Sequence, residues 1–166
     1  MKTEKMLELL KLLMKNSRLS DREIAKRLKF SQPTVTRLRR SLEKQGYVKS
    51  YTIVPNFEKI GYKILAFTFA SLKAYPDRKK AVEIVQKAVK WLDKHPNVIY
   101  SNDGHGLGKD IVIVSFHKDY DDYTRFMHEY ALDWGEIISS FESFMTNLKS
   151  EFIMRKFDLT YLADDF

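Results

Sequence analysis

Apolar residues recur at helical spacing in the first third of this chain and at strand spacing through much of the rest. Met6, Leu9, Leu10 and Leu13 fall on one face of a helix predicted over 4–15. Ile24, Ala25 and Leu28 do the same over 21–28, and Val35, Leu38 and Leu42 over 31–45. The start and stop signals agree with these periods. Ser20 and Glu23, three apart, form a capping box in which each side chain bonds the other's unpaired backbone N–H. Ser31 is a good N-cap for the third helix, and Pro33 is tolerated in a first turn whose N–H groups have no helical partner. Lys29 and Phe30 make the turn between the second and third helices, and Gly46 suits a left-handed C-cap. Tyr47 to Val54 then alternates apolar and polar positions with β-forming residues, which predicts a strand ending at Pro55.

Three short helices followed by a strand, with a brief turn before the third helix, predict a winged helix-turn-helix over residues 1–54. Residues 55–62 mix a proline, a glycine and polar residues and are expected to be a linker. Ile64–Leu72 is a continuous apolar run, as in a strand buried on both faces. A helix is predicted over Asp77–Lys94, with Ala81, Ile84, Val85, Ala88, Val89 and Leu92 inward. Short strands at Val98–Tyr100 and Ile111–Phe116, a helix at Tyr120–Leu132 and a strand at Ile137–Leu148 complete a β-α-β-β-α-β order. That order is the split pattern of a ferredoxin-like sandwich over 63–148. The fold class is therefore α+β, with the winged helix-turn-helix first and the ferredoxin-like βαββαβ sandwich second. Residues 149–166 are a C-terminal tail with no decisive period.

Charge sharpens this division. Residues 1–50 hold 14 Lys/Arg and 5 Asp/Glu, and 14 less 5 gives +9. The remainder holds 15 and 17, and 15 less 17 gives −2. Basicity confined to one end points to a polyanion-binding module joined to a near-neutral one. Nucleic acid fits best, because no helix combines a lysine-rich face with the exposed aromatic face of a membrane binder. No apolar run reaches the ~18 residues of a membrane span, and the N-terminus does not read as a signal peptide. With no cysteine there is no disulfide framework or thiolate chemistry, which fits a cytoplasmic protein.

Candidate contacts follow from the third helix. Once Val35, Leu38 and Leu42 face inward, Gln32, Thr34, Thr36, Arg37 and Arg40 remain outside, with Arg39 at the border. Arginine matches guanine and phosphate bidentately, while Thr and Gln bond base edges or phosphates. Ser31 is foremost a cap, though helix N-termini also hold phosphate. Arg22, Lys29 and Lys49 are candidates for backbone phosphates, which position without specifying. A solvated basic face is the alternative for all of these. Gly104, Gly106 and Gly108, with Asp110, form either a flexible hairpin loop or a backbone N–H cradle for a small ligand. The spacing is not that of a nucleotide site. His95, His105, His117 and His128 are scattered and predict no metal site. No nucleophile elbow is present, the adjacent acids Asp121 and Asp122 point different ways on a helix, and no cofactor is called for.

The segments SDREIAKRL (20–28), SQPTVTR (31–37), LEKQGYVKSYTIVPNFEKIGY (42–62) and GLGKD (106–110) resemble the Lrp/AsnC, or feast/famine, family of transcription regulators. Gly46, Val48, Tyr51 and Gly61 hold the places of that family's passage into its linker. The resemblance implies a non-enzymatic, sequence-specific DNA-binding regulator and a homodimer, with octamers frequent in the family. It also implies tuning by an amino-acid effector near the glycine turn. Two departures stand out. Leu38 and Arg39 exchange the basic and apolar characters usual there, and the glycine loop, 102–110, is longer than the usual turn. Siroheme decarboxylases share the architecture, but they carry an arginine-rich passage where this chain has Val48-Lys49-Ser50-Tyr51-Thr52. An architectural, chromatin-like protein with little sequence preference is the remaining alternative.

Overall fold

The computed structural model describes residues 2–74 and 76–166. The chain divides into two compact units, one of residues 1–54 and 154–166, the other of residues 55–153.

The first unit is built on three helices, α1 (Lys2–Lys15), α2 (Asp21–Leu28) and α3 (Gln32–Lys44). Met6, Leu9 and Leu13 of α1, Ile24 and Ala25 of α2, and Val35, Leu38 and Leu42 of α3 form one buried core, joined by Leu19. The capping box is made: the Ser20 N–H donates to Glu23 Oε2 at 2.8 Å, and the Glu23 N–H donates to Ser20 Oγ at 3.3 Å. Lys29 takes a left-handed conformation (φ 54°), which ends α2 and turns the chain into α3. Gly46 ends α3 with φ 74°; its N–H bonds Glu43 O at 3.0 Å and the Tyr47 N–H bonds Leu42 O at 2.9 Å. Those two bonds make a complete Schellman motif.

Residues 47–54 depart from expectation. They form no strand, and Tyr47, Tyr51, Ile53 and Val54 are exposed. The alternating pattern suits a strand, yet a strand also needs a partner for its N–H and C=O groups, and none of the four strands lies in this unit.

The tail returns to this unit. A short 3-10 helix, Thr160–Asp164, lies against α1 with Ala163 buried. Asp164 pairs with Lys15, and Lys11 stands 5.4 Å from the centroid of the Phe166 ring. Lys11 and Lys15 share a helical face with Leu7 and Met14, both half-buried, so the tail covers a second apolar side of α1.

The second unit is β1 (Ile64–Leu72), α4 (Arg78–Leu92), β2 (Val98–Gly106), β3 (Lys109–His117), α5 (Tyr120–Trp134) and β4 (Ile138–Asn147). The strands form one antiparallel sheet in the order β2-β3-β1-β4, the ferredoxin-like arrangement. Residues 55–62 are not a free linker. They form a bonded turn in which Phe57 stacks on Phe116 at 4.4 Å between ring centroids and Tyr62 packs beside it.

One sheet face is covered by α4 and α5. Ala70, Ile113 and Ile138 meet Trp91, Phe126, Met127, Tyr130 and Trp134 there. On α4, Ile84, Ala88 and Leu92 pack on the core as expected, but Trp91 is buried while Val85 and Val89, expected inward, are more than half exposed. The helix is apolar on two sides, and the large indole takes the sheet-facing place. The opposite sheet face carries Leu65, Phe67, Val112, Val114 and Phe116, of which Phe57, Tyr62 and Leu148 cover one end. Phe144, paired with Phe67 across β1 and β4, is 67% exposed.

At the end of β3, His117 is fully buried against Tyr123 and Phe126, with Nε2 2.8 Å from Ser115 Oγ. Burial pushes its pKa below the ordinary 6.5, opposed by the charge of Asp122. The neutral ring is thus the folded form, and the unfolded chain binds the proton more readily. Stability from this group is complete above pH about 6.5 and falls as pH drops from there toward the lowered folded value. Both tryptophans, Trp91 and Trp134, lie in this unit, so urea unfolding followed by tryptophan fluorescence should show the loss. His117→Gln should flatten that part of the pH profile.

Candidate nucleic-acid interface

The interface is organised by Asp21, the first residue of α2. Its Oδ2 accepts from the Thr36 hydroxyl at 2.6 Å, and its Oδ1 accepts from Arg39 Nε at 2.8 Å. Arg39 Nη2 donates in turn to the Leu19 carbonyl at 3.0 Å. Thr36 and Arg39 are three apart on α3, so one carboxylate spans both. The Thr36 hydroxyl holds the Asp21 carboxyl below the usual carboxylate range, burial opposes it, and Arg39 adds to the lowering. The pair is mostly shielded, with Arg39 and Asp21 side chains 20% and 22% exposed. The second and third helices are therefore joined by polar bonds as well as by their common core.

This arrangement sorts the expected contacts. Arg37 and Arg40 are exposed, as is Gln32. Pro33, Arg37, Arg40 and Lys44 share one helical face, three or four residues apart, on the side away from the buried Val35, Leu38 and Leu42. Arg22, Lys29 and Lys49 are exposed too. Ser31 is the N-cap, its Oγ accepting from the Thr34 N–H at 3.4 Å and lying 2.8 Å from Thr34 Oγ1. Those two hydroxyls serve each other. Thr36 is half-buried and its hydroxyl is committed to Asp21, so it faces the second helix rather than solvent.

The sequence reading missed Asp21 as a member of this site and placed Arg39 only at its border. A carboxylate opening one helix, with a Thr and an Arg three apart on the next, is the signal that exposes both. Arg39 can replace the apolar residue usual at its place because Asp21 and the Leu19 carbonyl receive its guanidinium.

The glycine turn is a tight hairpin. Gly104 and Gly106 lie in β2, and only Leu107 and Gly108 form the turn, with φ of 55° and 66°. Two left-handed residues in a two-residue connection make a tight hairpin with the twist of its strands. The 102–110 segment is therefore not a long loop; an irregular register between Asp103 and Gly106 accommodates its extra length. Asp110 accepts the Leu72 N–H at 2.9 Å, and the Gly108 carbonyl accepts the Ser71 hydroxyl at 3.0 Å. The four residues run along this hairpin. Among the described residues no cluster of three metal-ligating side chains occurs, and no helix is long and apolar enough to cross a membrane.

Comparison with known proteins agrees with this geometry. Residues 2–49 match the family described as winged helix-turn-helix DNA-binding. An uncharacterized HTH-type transcriptional regulator of Pyrococcus furiosus is 33% identical over 120 residues, 72% of this chain and 75% of the relative. Escherichia coli AsnC superposes with a TM-score of 0.71 at 20% identity, covering 92% of this chain and 95% of AsnC. The chain belongs to the Lrp/AsnC family of transcriptional regulators. A transcriptional regulator of Neisseria meningitidis, solved as its L-Met complex, shares the Lrp/AsnC-type fold with a TM-score of 0.75. It is 22% identical, and the match covers 93% of each chain.

Replacing Asp21 by Ala removes the carboxylate acceptor of the Thr36 hydroxyl and of the half-buried Arg39 Nε, leaving only carbonyl acceptors to these side chains. Asp21→Ala should cost about 1–3 kcal/mol of the first unit's stability, read as loss of amide protection in α2 and α3 by hydrogen exchange. The folded carboxyl is the more acidic one, so the difference from wild type is complete above pH about 3.8 and shrinks as pH falls through the lowered folded value.

Proposed function

We propose that this Lrp/AsnC regulator reads duplex DNA with α3 in the major groove. Arg37 and Arg40 contact base edges or phosphates, Gln32 and Thr34 assist, and the helix N-terminus at Ser31 approaches a phosphate. Arg22, Lys29 and Lys49 supply further phosphate contacts. The observation that carries this reading is the division of arginines on α3: Arg39 is tied inward by Asp21, while Arg37 and Arg40 face solvent. The surplus of positive charge in residues 1–50 supplies the long-range attraction to a polyanion.

Two copies act together in this proposal. The uncovered sheet face with Phe67, Val112 and the exposed Phe144 is apolar surface that a second copy of the second unit can bury. The unpaired segment 47–54 likewise carries strand chemistry without a strand partner. A homodimer presents two α3 helices to a two-fold-symmetric site. Tuning by an amino acid is supported by the Neisseria neighbour bound to L-Met. The hairpin leaves open space over Gly104, Gly106 and Gly108, where a second copy can close a ligand site.

Selection from a random duplex pool should enrich a roughly two-fold-symmetric motif bound at least ~10³ tighter than a scrambled duplex. Salt-sensitive binding without such preference identifies the architectural alternative instead. On the selected duplex, Arg37→Ala should cost about 1–3 kcal/mol if the arginine reads a base; an equal loss on both duplexes makes it a phosphate contact. In sedimentation, Phe144→Glu should weaken self-association at least about tenfold while the circular dichroism stays unchanged, because a carboxylate must then be buried at the interface. Unaltered association removes the sheet face from the dimer.

A further inference from the structure

The hydroxyl of Tyr51 lies between two side chains of α3. It donates to Glu43 Oε1 at 2.8 Å, and it interacts with the guanidinium of Arg39. Glu43 follows Arg39 by four residues, so both stand on the same side of the helix. The same guanidinium reaches Asp21 and the Leu19 carbonyl. One polar chain thus runs from the start of α2, across α3, to the 47–54 segment that leaves the first unit.

The ring of Tyr51 explains little of this by packing. The residue is 48% exposed, and Val48, not Tyr51, packs against the three-helix core. A phenylalanine would cover the same surface. What tyrosine adds is a hydroxyl with one donor and two acceptor sites, placed where an acidic acceptor and a cationic donor meet. Burial raises its pKa, Glu43 raises it further and Arg39 opposes, so the phenol keeps the proton that Glu43 receives.

We propose that Tyr51 is a positioning residue for DNA reading: its hydroxyl latches the 47–54 segment onto Arg39 and Glu43 of α3. This inference rests on α3 being the DNA-reading helix. Asp21 and Tyr51 both engage Arg39. The pose of α3, and with it the aim of Arg37 and Arg40, then depends on the course of the segment. Because that segment continues directly into Pro55 and the second unit, a displacement of its far end bears on Tyr51 before it bears on the core. Tyr51 itself touches no base or phosphate in this scheme.

The test is Tyr51→Phe in the full chain, beside Arg37→Ala and Glu43→Gln, with all four proteins titrated against the selected and the scrambled duplex well below their melting temperatures. Tyr51→Phe should lower affinity for the selected duplex about five- to tenfold. Affinity for the scrambled duplex and the salt slope should stay unchanged, because no phosphate contact is lost. Glu43→Gln, which keeps an acceptor oxygen for the phenol, should retain the wild-type ratio of selected to scrambled binding. A role in stability alone would lower the melting temperature and leave that ratio intact. If Arg37→Ala reduces selected binding and Tyr51→Phe leaves the ratio unmoved, the latch is refuted and the DNA-reading helix stands. If Arg37→Ala changes binding to neither duplex, the assignment of α3 itself falls, and the latch with it.

Discussion

One carboxylate ties α3 to α2. Asp21 sits at the start of α2, where the helix dipole favours negative charge, and receives a hydroxyl and a guanidinium from the middle of α3. A carboxylate lodged partly between two helices loses hydration, and only good donors offset that loss. Thr36 and Arg39 provide them at 2.6 and 2.8 Å. The consequence reaches the outer face. Consecutive helical residues point about 100° apart, so fixing Arg39 inward also fixes the direction of Arg40, its neighbour. Two adjacent arginines thereby take opposite roles, one structural and one available to a ligand.

The second unit meets a different constraint, because a four-stranded sheet has two faces and this chain supplies helices for one. Trp91, Phe126, Tyr130 and Trp134 fill the space beneath α4 and α5. On the other face, Phe57 and Tyr62 reach only the end near Leu65 and Phe116. Phe144 is left largely in water, with Phe67 beside it. Apolar surface concentrated on one sheet face is most economically buried by an identical face, since two-fold pairing makes one patch serve both sides.

Much of this was legible in the sequence where local signals and long-range packing agree. The Ser20–Glu23 box, the Ser31 cap and the Gly46 stop all act within one turn of chain, and all are realised. The apolar run Ile64–Leu72 is a strand as read. Misreadings arose where the decisive partner is distant or missing. Tyr47–Val54 has the period of a strand, but period does not supply the second strand that makes a ladder. Val85 and Val89 have the right spacing for a core, yet Trp91 fills the sheet-facing space and turns those valines outward. Gly104 and Gly106 read as loop because glycine is a poor strand former, whereas pairing with β3 carries β2 through them. The role of Asp21 was hidden because its partners lie 15 and 18 residues away, and only the angle between two helices brings them together.

The charge distribution gains meaning once the tail is in place. Residues 154–166 carry two basic and three acidic side chains, so they lower the first unit's charge only from +9 to +8. Their effect is one of placement. Asp164 faces Lys15, and the Phe166 ring receives Lys11, so the tail engages lysines of α1 and leaves those of α2 and α3 alone. An exposed pair such as Lys15–Asp164 adds little to stability, but it cancels positive potential locally. Arg22, Lys29, Arg37 and Arg40 stay exposed. The tail's cancellation falls on α1, while Arg37 and Arg40 stay exposed on α3 to attract a polyanion.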